Sequence, residues 1–383
     1  MKIRPEWFGA LVELDRPAAV VAVNQPLARL LGVTQSARWS TGEPQRLSAP
    51  IEAQLQLSRR CGAGCSTCYV GATPRGEVME LAAAKSAIDR LAQKGVFRVA
   101  FGGGEPLDLE WIFELAAHAR WRKVTPSLTT AGLSLTADQA RKCKVFSQVN
   151  VSLDGPPAAY ARVRGFDGGN QAIAALQLLR SQLPHVGLNC VVTRENFSQV
   201  GPTLALAKRL ELNQVQLLRL KPVGRAAVHP ESVLSRAQAE ALWPRVVWLS
   251  LRHRIRVRLD CSFAPMVFWH RPSLKLAEFF GVVGCVGGEQ VIAIRPDGAV
   301  TGCGFYGEPE ASVHDGPALG KAFLSGFAPF RDFAANPPQP CDRCSYVSLC
   351  KGGCRAAGPD DGEVHPDPGC PRVARWTEQR SFQ

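Results

Sequence analysis

The chain of 383 residues has no run approaching the roughly 18 consecutive apolar residues of a membrane-spanning helix. Its N-terminus, Met-Lys-Ile-Arg-Pro-Glu-Trp, lacks the apolar core of a secretory signal. Both absences lead to the expectation of a cytoplasmic, reducing location with no membrane partner, where disulfides are rare. Histidine is sparse and scattered (His118, His185, His229, His253, His270, His314, His365) with no metal-ligand spacing; only His270, in Phe268-Trp-His-Arg, invites a test. There is no internal repeat beyond an alternation of strands and helices. Charged residues reach only 20% against 46% hydrophobic, which excludes a disordered chain. Acidic residues fall short of basic ones, leaving a formal charge of +12 and the expectation of an acidic partner. No aromatic-interleaved basic platform accompanies that charge, so no nucleic-acid partner is expected.

Cysteine is what the chain does have. Thirteen is an odd number in a chain long enough to need no staples, so clustered cysteines read as metal ligands or catalytic groups. Around them, strand-like runs at Leu55–Ser58, Phe97–Phe101, Thr125–Thr129, Val149–Leu153, Leu188–Val192 and Val215–Leu220 alternate with helical patterns at Leu81–Lys94, Leu109–Ala119, Thr136–Lys142, Asn170–Gln182 and Val200–Leu210. Six such units predict an α/β fold with parallel strands in a partial (β/α)6 TIM-like barrel; a doubly wound open sheet is the competitor. Residues 1–50 read as a small N-terminal segment, with strands Gly9–Leu14 and Ala18–Val23 joined at Asp15-Arg16-Pro17, a helical Pro26–Leu31 and a polar linker Thr34–Pro50. Residues 51–230 hold the barrel and 231–280 a connecting region. There Ser235 and Gln238 can form a capping box for a helix to about Leu251, followed by an Arg-rich strand (Arg254–Leu259) and Ser273–Phe280. Residues 281–383 open with a hairpin, Val291–Arg295 and Ala299–Cys303 about Pro296-Asp297-Gly298, and become too rich in Cys, Gly and Pro to bury an ordinary core without a metal.

The first cysteine group, Cys61-Gly-Ala-Gly-Cys65-Ser-Thr-Cys68-Tyr69, follows the first barrel strand. Three thiolates on one glycine-wrapped loop leave a four-coordinate site open, which fits zinc with an outside ligand or a 4Fe–4S cluster with one free iron. The triplet resembles the signature of radical S-adenosylmethionine (SAM) enzymes. Gly102-Gly103-Gly104-Glu105-Pro106, ending the second strand, is similar to the family segment that contacts the SAM amino group. Ser152-Leu153-Asp154-Gly155, ending the fourth, is similar to its ribose-contacting segment; Val191–Thr193 and Lys221-Pro222-Val223-Gly224-Arg225 end the fifth and sixth. The resemblance implies cofactor contacts from Tyr69, Gly103, Gly104, Glu105, Ser152 and Asp154. It also points to an arginine of Tyr160-Ala-Arg162-Val-Arg164-Gly165 as a partner for the SAM carboxylate, with ordinary surface arginines as the alternative.

Downstream, Cys285, Cys303, Cys341, Cys344, Cys350, Cys354 and Cys370 resemble the seven-cysteine pattern of the SPASM extension. That resemblance implies two auxiliary 4Fe–4S clusters, the outer on Cys341, Cys344, Cys350 and Cys370, the inner on Cys285, Cys303 and Cys354. Either Cys261 completes the inner set or one iron stays open; the open site is the reading preferred here. A zinc module is the structural alternative. Cys190 reads as a small buried packing residue, and Cys143, in a basic helix end, as incidental. Asp154, Asp260 and Glu105 are carboxylates near strand ends, none singled out as catalytic. Arg252, Arg254, Arg256 and Arg258 alternate onto one expected strand face, either edge protection or a dock for an acidic peptide or donor.

The resemblance implies reductive cleavage of SAM to a 5′-deoxyadenosyl radical and oxidative modification of a substrate. A ribosomally made peptide, crosslinked, thioether-bridged or epimerised, comes first. A formylglycine-type protein maturase and a haem-precursor or other small-molecule enzyme are the alternatives. Implied partners are the peptide or protein substrate, an acidic flavodoxin- or ferredoxin-type electron donor, and a separate leader-binding protein, because 50 residues are too few for a leader-binding winged-helix unit.

Overall fold

The computed structural model describes residues 2–15, 18–39, 46–359, 361 and 363–380. The chain opens with an antiparallel sheet of β1 (Lys2–Glu6), β2 (Gly9–Asp15) and β3 (Ala18–Asn24), followed by helix α1 (Gln25–Leu30). Strand β1 escaped the sequence reading because Lys, Arg, Pro and Glu fill it, yet Arg4 and Glu6 are buried there. Glu6 accepts from Arg4 Nε at 2.8 Å and from Ser48 Oγ at 2.8 Å, while Arg4 donates to the carbonyls of Ala49 and Pro50. The stretch expected as a linker is therefore fastened where it is described, with Trp39 Nε1 donating to Glu6 O and Gly9 O at 2.9 Å each. Residues 40–45 of it, and Arg16-Pro17 of the expected turn, lie outside the described residues.

The barrel follows: β4 (Glu52–Ser58), α2 (Leu81–Gln93), β5 (Arg98–Gly103), α3 (Ile112–Trp121), β6 (Thr125–Thr130), α4 (Ala137–Lys142), β7 (Val149–Ser152), α5 (Pro157–Arg164), α6 (Gly169–Gln182), β8 (Val186–Val192), α7 (Val200–Arg209) and β9 (Gln214–Arg219). Helix α2 shows why the pattern was legible. Ala84, Ala87, Ile88 and Leu91 fall at helical spacing and are fully buried against the sheet. Helix α5 was not anticipated; its eight residues lack an apolar stripe, burying Ala159, Tyr160 and Val163.

After β9, helix α8 (Arg236–His253) starts at the expected Ser235–Gln238 capping box and leads into β10 (Arg256–Leu259). Next come α9 (Ala264–Trp269), α10 (Leu274–Phe279), the expected hairpin of β11 (Val291–Ile294) and β12 (Ala299–Thr301), and then β13 (Ala311–Ser312), α11 (Gly316–Ser325), α12 (Ala328–Arg331), α13 (Val347–Cys350) and α14 (Pro371–Arg380). One ten-stranded sheet unites these regions in the order β10-β9-β8-β7-β6-β5-β4-β11-β12-β13, with every neighbour from β10 through β11 parallel. The six expected parallel strands thus gain a seventh, β10, on one side and β11 on the other. The sheet runs unbroken past residues 231 and 281. The expected arginine face also changes. Arg252 belongs to α8 and Arg254 caps that helix at φ 49°, so only Arg256 and Arg258 share a strand face.

Alternation along the strands positions the site. Ala53, Leu55 and Leu57 of β4 pack under the helices, while Glu52, Gln54 and Gln56 line a central cavity of about 930 Å³. Ser127 and Thr129, Asn150 and Ser152, and Gln214 and Gln216 do the same on β6, β7 and β9. An ordinary TIM barrel fills this space with Val, Ile and Leu layers; here polar side chains leave it open. The expected loss of ordinary core also proves narrower than residues 281–383. Phe323, Phe327 and Phe330 join the main core, and the cysteine-rich loops beyond them lie beside a small cluster of Ala264, Phe268, Ala277 and Tyr346.

Candidate functional site

Cys61, Cys65 and Cys68 all line the cavity at the C-terminal end of the parallel strands, where ligands bind in such folds. The backbone of the loop is clamped from three sides. Cys61 N donates to Thr73 O at 2.9 Å, Ser66 N to Arg164 O at 3.0 Å, and Arg225 N to Cys68 O at 2.9 Å. The Arg225 side chain reaches over to the carbonyls of Cys65 and Ala72 at 2.7 Å each. Gly224, at φ +60°, permits that approach, since a Cβ there would stand 2.4 Å from Tyr69 O.

Each sulfur has its own donor. Ala63 N reaches Cys61 Sγ at 3.5 Å, Arg164 reaches Cys65 Sγ at 3.4 Å, and Ala72 N reaches Cys68 Sγ at 3.3 Å. Three sulfurs with three aimed N–H groups suit metal ligation, since outer-shell donors of this kind tune a bound metal centre. Among the described residues no three Cys, His, Asp or Glu side chains converge as tightly as a single ion requires. The fit to an iron–sulfur cluster therefore rests on the donor chemistry of the loop.

The glycine segment sits directly behind. Gly103 has φ +106°, and a Cβ on Gly104 would stand 2.1 Å from Arg60 O, so the strand end can lie against the cysteine loop only without side chains. Gly102, Gly103 and Gly104 line the cavity. Glu105 turns away from it. Its carboxylate accepts from Thr130 Oγ1 at 2.7 Å, Ala131 N at 2.8 Å and Leu107 N at 3.0 Å, and burial pushes its pKa upward against those donors. Asp154 is likewise turned inward and fully buried, accepting from Arg164 Nε and Val191 N at 2.5 and 2.7 Å. Ser152, at the same strand end, is what faces the cavity. Arg164, whose expected partner was a SAM carboxylate, is spent on Asp154 and Cys65, and Arg162 is exposed.

Tyr69 packs against Phe305 with ring centroids 4.5 Å apart, and burial raises its phenol pKa. Phe305 follows Cys303, so the two cysteine regions meet across the cavity wall. Lys221 lies there too, with Nζ 4.6 Å from the Phe305 ring and paired to Asp260.

The remaining cysteines fall into two groups. Cys341, Cys344, Cys350 and Cys370 lie near one another; burial first, then Cys370 and Cys344, push the Cys341 thiol up to about 12. Cys261 lies beside Cys285 and near Cys303, and Cys303 lies near Cys354. Of the two readings of the inner set, this geometry favours the one that includes Cys261, which lies on the turn after β10 beside Cys285 and Cys303. The end of β10, paired in parallel with β9, delivers Cys261 to the same place as Lys221. Behind both groups runs a buried pair that the sequence did not reveal. Arg219 bonds both Asp367 oxygens at 2.6 and 2.9 Å, and Asp367 also accepts from Cys354 N and Gly369 N at 2.9 Å. Cys190 and Cys143 are buried packing residues, the latter pushed up to about 12 by burial. His270 is exposed and contacts only the backbone of α8, at Glu240 O.

Comparison with known proteins gives this geometry its context. Residues 55–207 match the Radical SAM superfamily. The chain is 26% identical over 323 residues to AdoMet-dependent heme synthase of Nitratidesulfovibrio vulgaris, covering 79% of this chain and 86% of that protein. It is also 26% identical over 326 residues to PqqA peptide cyclase of Rhodopseudomonas palustris, covering 80% and 82%. In fold it resembles Streptococcus suis SuiB bound to precursor peptide SuiA, with TM-score 0.76, 14% identity and 96% and 98% of the two chains covered. It also resembles anSMEcpe with bound AdoMet and Cp18Cys peptide, with TM-score 0.67, 19% identity and 87% and 97% covered. No helix among the described residues is long and apolar enough to cross a membrane. The cysteine triplet and the glycine strand end both lie inside this match, so residues 55–207 form a radical SAM domain.

Proposed function

We propose that this enzyme oxidatively modifies a ribosomally made peptide, with SAM bound at the Cys61–Cys68 loop and two auxiliary 4Fe–4S clusters in the C-terminal region. The observation that carries the reading is the contact of the two cysteine regions through Tyr69, Phe305 and Lys221 on one cavity. The first cluster would supply the one-electron reduction that cleaves SAM, and the auxiliary clusters would accept the electron the substrate loses as it is oxidised. The chain's own residues do the positioning. Gly103 and Gly104 would let the SAM amino end approach the backbone, Ser152 and Tyr69 would border its nucleoside, and Arg164 donates to the Cys65 sulfur while neutralising Asp154. Cys61, Cys65 and Cys68 carry the first cluster. Cys285, Cys303, Cys354 and Cys261 carry the inner auxiliary cluster, and Cys341, Cys344, Cys350 and Cys370 the outer.

The cavity of about 930 Å³ exceeds what SAM alone needs, leaving room for a substrate segment beside it. Peptide recognition is supported by the names of the PqqA peptide cyclases and the SuiB complex. A haem-precursor substrate is the second reading, favoured by the heme synthases among the relatives. The cysteine usage suits a reducing cytoplasm with a flavodoxin- or ferredoxin-type donor.

The test is anaerobic purification followed by iron analysis and dithionite-driven turnover. About 12 iron atoms per chain, from three 4Fe–4S clusters, and release of 5′-deoxyadenosine are expected. Stoichiometric zinc without absorbance near 400 nm would sink the assignment. Turnover with candidate precursor peptides against tetrapyrrole carboxylates then separates the two substrate readings.

A further inference from the structure

The strongest feature left unassigned lies at the other end of the barrel. Lys208 and Arg209 close α7, Arg252 sits on the last turn of α8, and Arg254, Arg256 and Arg258 follow into β10. Among the described residues, none of these six side chains makes an ion pair within 4.0 Å, whereas Arg164, Arg219 and Lys221 at the cysteine end are each matched to a carboxylate, buried for Asp154 and Asp367 and half-buried for Asp260. Lys208, Arg209, Arg254 and Arg256 line one groove and repel one another there; of the acidic groups nearby, Glu211 leans instead toward Arg180 at 3.9 Å, and Glu52, which faces Arg258 across the cavity, also faces Arg98. Such an arrangement is stabilised by an anion.

Three further observations say what kind. A groove of about 490 Å³ runs between Lys208, Arg209, Arg254 and Arg256, and Asn213 and Arg256 line both this groove and the central cavity, so the two adjoin. Strand β10 pairs only with β9 among the described residues, leaving its other edge with unpaired backbone groups. Beside it, Trp248 and Leu251 of α8 are 59% and 74% exposed, an apolar anchor next to the cations. A small anion would use the charges and ignore the edge and the anchor. An extended chain uses all three, because side chains two residues apart on an added strand share one face.

We propose that the free edge of β10 docks an extended acidic peptide segment, which adds as a further parallel or antiparallel strand and sets its carboxylates on Arg256 and Arg258. An adjoining apolar residue covers Trp248 and Leu251. Docking there leads the neighbouring part of the same peptide into the open side of the cavity. The identity of the partner rests on the peptide-substrate reading; the site itself does not.

The experiment uses the full chain and a fluorescein-labelled Glu-Val decapeptide at low ionic strength. Fluorescence anisotropy should report binding that weakens as salt rises, and amide hydrogen exchange should slow across Arg256–Leu259 when the peptide is added. A Lys-Val decapeptide should not bind. In R256E/R258E the acidic peptide should bind at least about tenfold more weakly, the loss expected from reversing two exposed charges; R256S/R258S, a milder change, guards against a folding defect and should lie between. The proposal is overturned if the double variants bind like the wild type, if exchange at Arg256–Leu259 is unaffected, or if a ten-residue oligothymidylate binds more tightly than the peptide. SAM cleavage with dithionite is assayed separately. A chain that cleaves SAM yet ignores the peptide overturns the docking site alone, and one that binds the peptide without cleaving SAM overturns the enzymatic reading alone.

Discussion

The two cysteine regions present the same side chain but are built by opposite means. Cys61, Cys65 and Cys68 span eight residues, and everything that shapes their loop is barrel: the glycine strand end behind it, Arg164 of α5 and Arg225 after β9. The barrel core under them is continuous from α2 to α8. The second region draws cysteines from position 261 to position 370. Its loops have little apolar packing beyond Ala264, Phe268, Ala277 and Tyr346, and lean on one buried ion pair, Arg219–Asp367. A site framed by an independent core keeps its shape without its metal. A site whose loops supply few buried contacts depends on the metal for much of its folding free energy.

Two experiments can break that contrast. The larger effect is expected from C61A/C65A/C68A, which should abolish SAM cleavage and remove about four irons while leaving the auxiliary complement and the fold intact by circular dichroism; cleavage surviving in this variant would mean the wrong loop has been assigned. Next is chelation of all iron under anaerobic conditions. Hydrogen exchange should then accelerate across residues 341–370 and stay slow in β4 through β9. Equal loosening of both regions would remove the distinction argued above.

Asp367→Asn sharpens the same contrast without touching a ligand. It leaves Arg219, 2% exposed, as a buried charge with no counter-ion, and removing one partner of such a pair costs about 3–5 kcal/mol. Urea unfolding followed at the C-terminal region should report that loss, with auxiliary iron falling before the first cluster does. Gly104→Ala probes the other region. A methyl 2.1 Å from Arg60 O must push the strand end off the cysteine loop, and a displacement of that order costs about a hundredfold in rate, read as 5′-deoxyadenosine formation.

How much of this the sequence disclosed follows the same line. The cysteine loop, the glycine segment and the six strand–helix units are local patterns, carried by spacing within a few residues, and they could be read directly. What escaped was made by contacts between distant segments. Strand β10 is four residues long and half arginine, so nothing in its composition marks it as a barrel strand; only its pairing with β9 does. The hairpin strand β11 was legible, but its parallel pairing with β4, which joins the C-terminal region to the barrel, was not. Asp154 and Glu105 stand in segments that suggest ligand contact, yet each carboxylate is consumed by neighbours fixed from other strands. Cys261 was already a candidate for the inner set, and its place beside Cys285 and Cys303 follows from the same pairing of β10 with β9.

The smallest effect tests whether the two regions work as one site. Phe305 is carried by the loop after Cys303 and Tyr69 follows Cys68, so their 4.5 Å contact is a side-chain bridge between the regions that involves no metal ligand. An aromatic pair of this kind contributes about 0.5–1.5 kcal/mol beyond the area it buries. Phe305→Ala should therefore weaken SAM binding or turnover by up to about tenfold, and Tyr69→Ala should do at least as much, since Tyr69 also borders the cavity. The informative quantity is their combination. If the bridge couples the regions, the double variant loses less than the two single variants added together, because the second substitution removes a contact already gone. Strict additivity in SAM cleavage would mean that the barrel loop functions without reference to the C-terminal region, whose role would then begin only after the radical has formed.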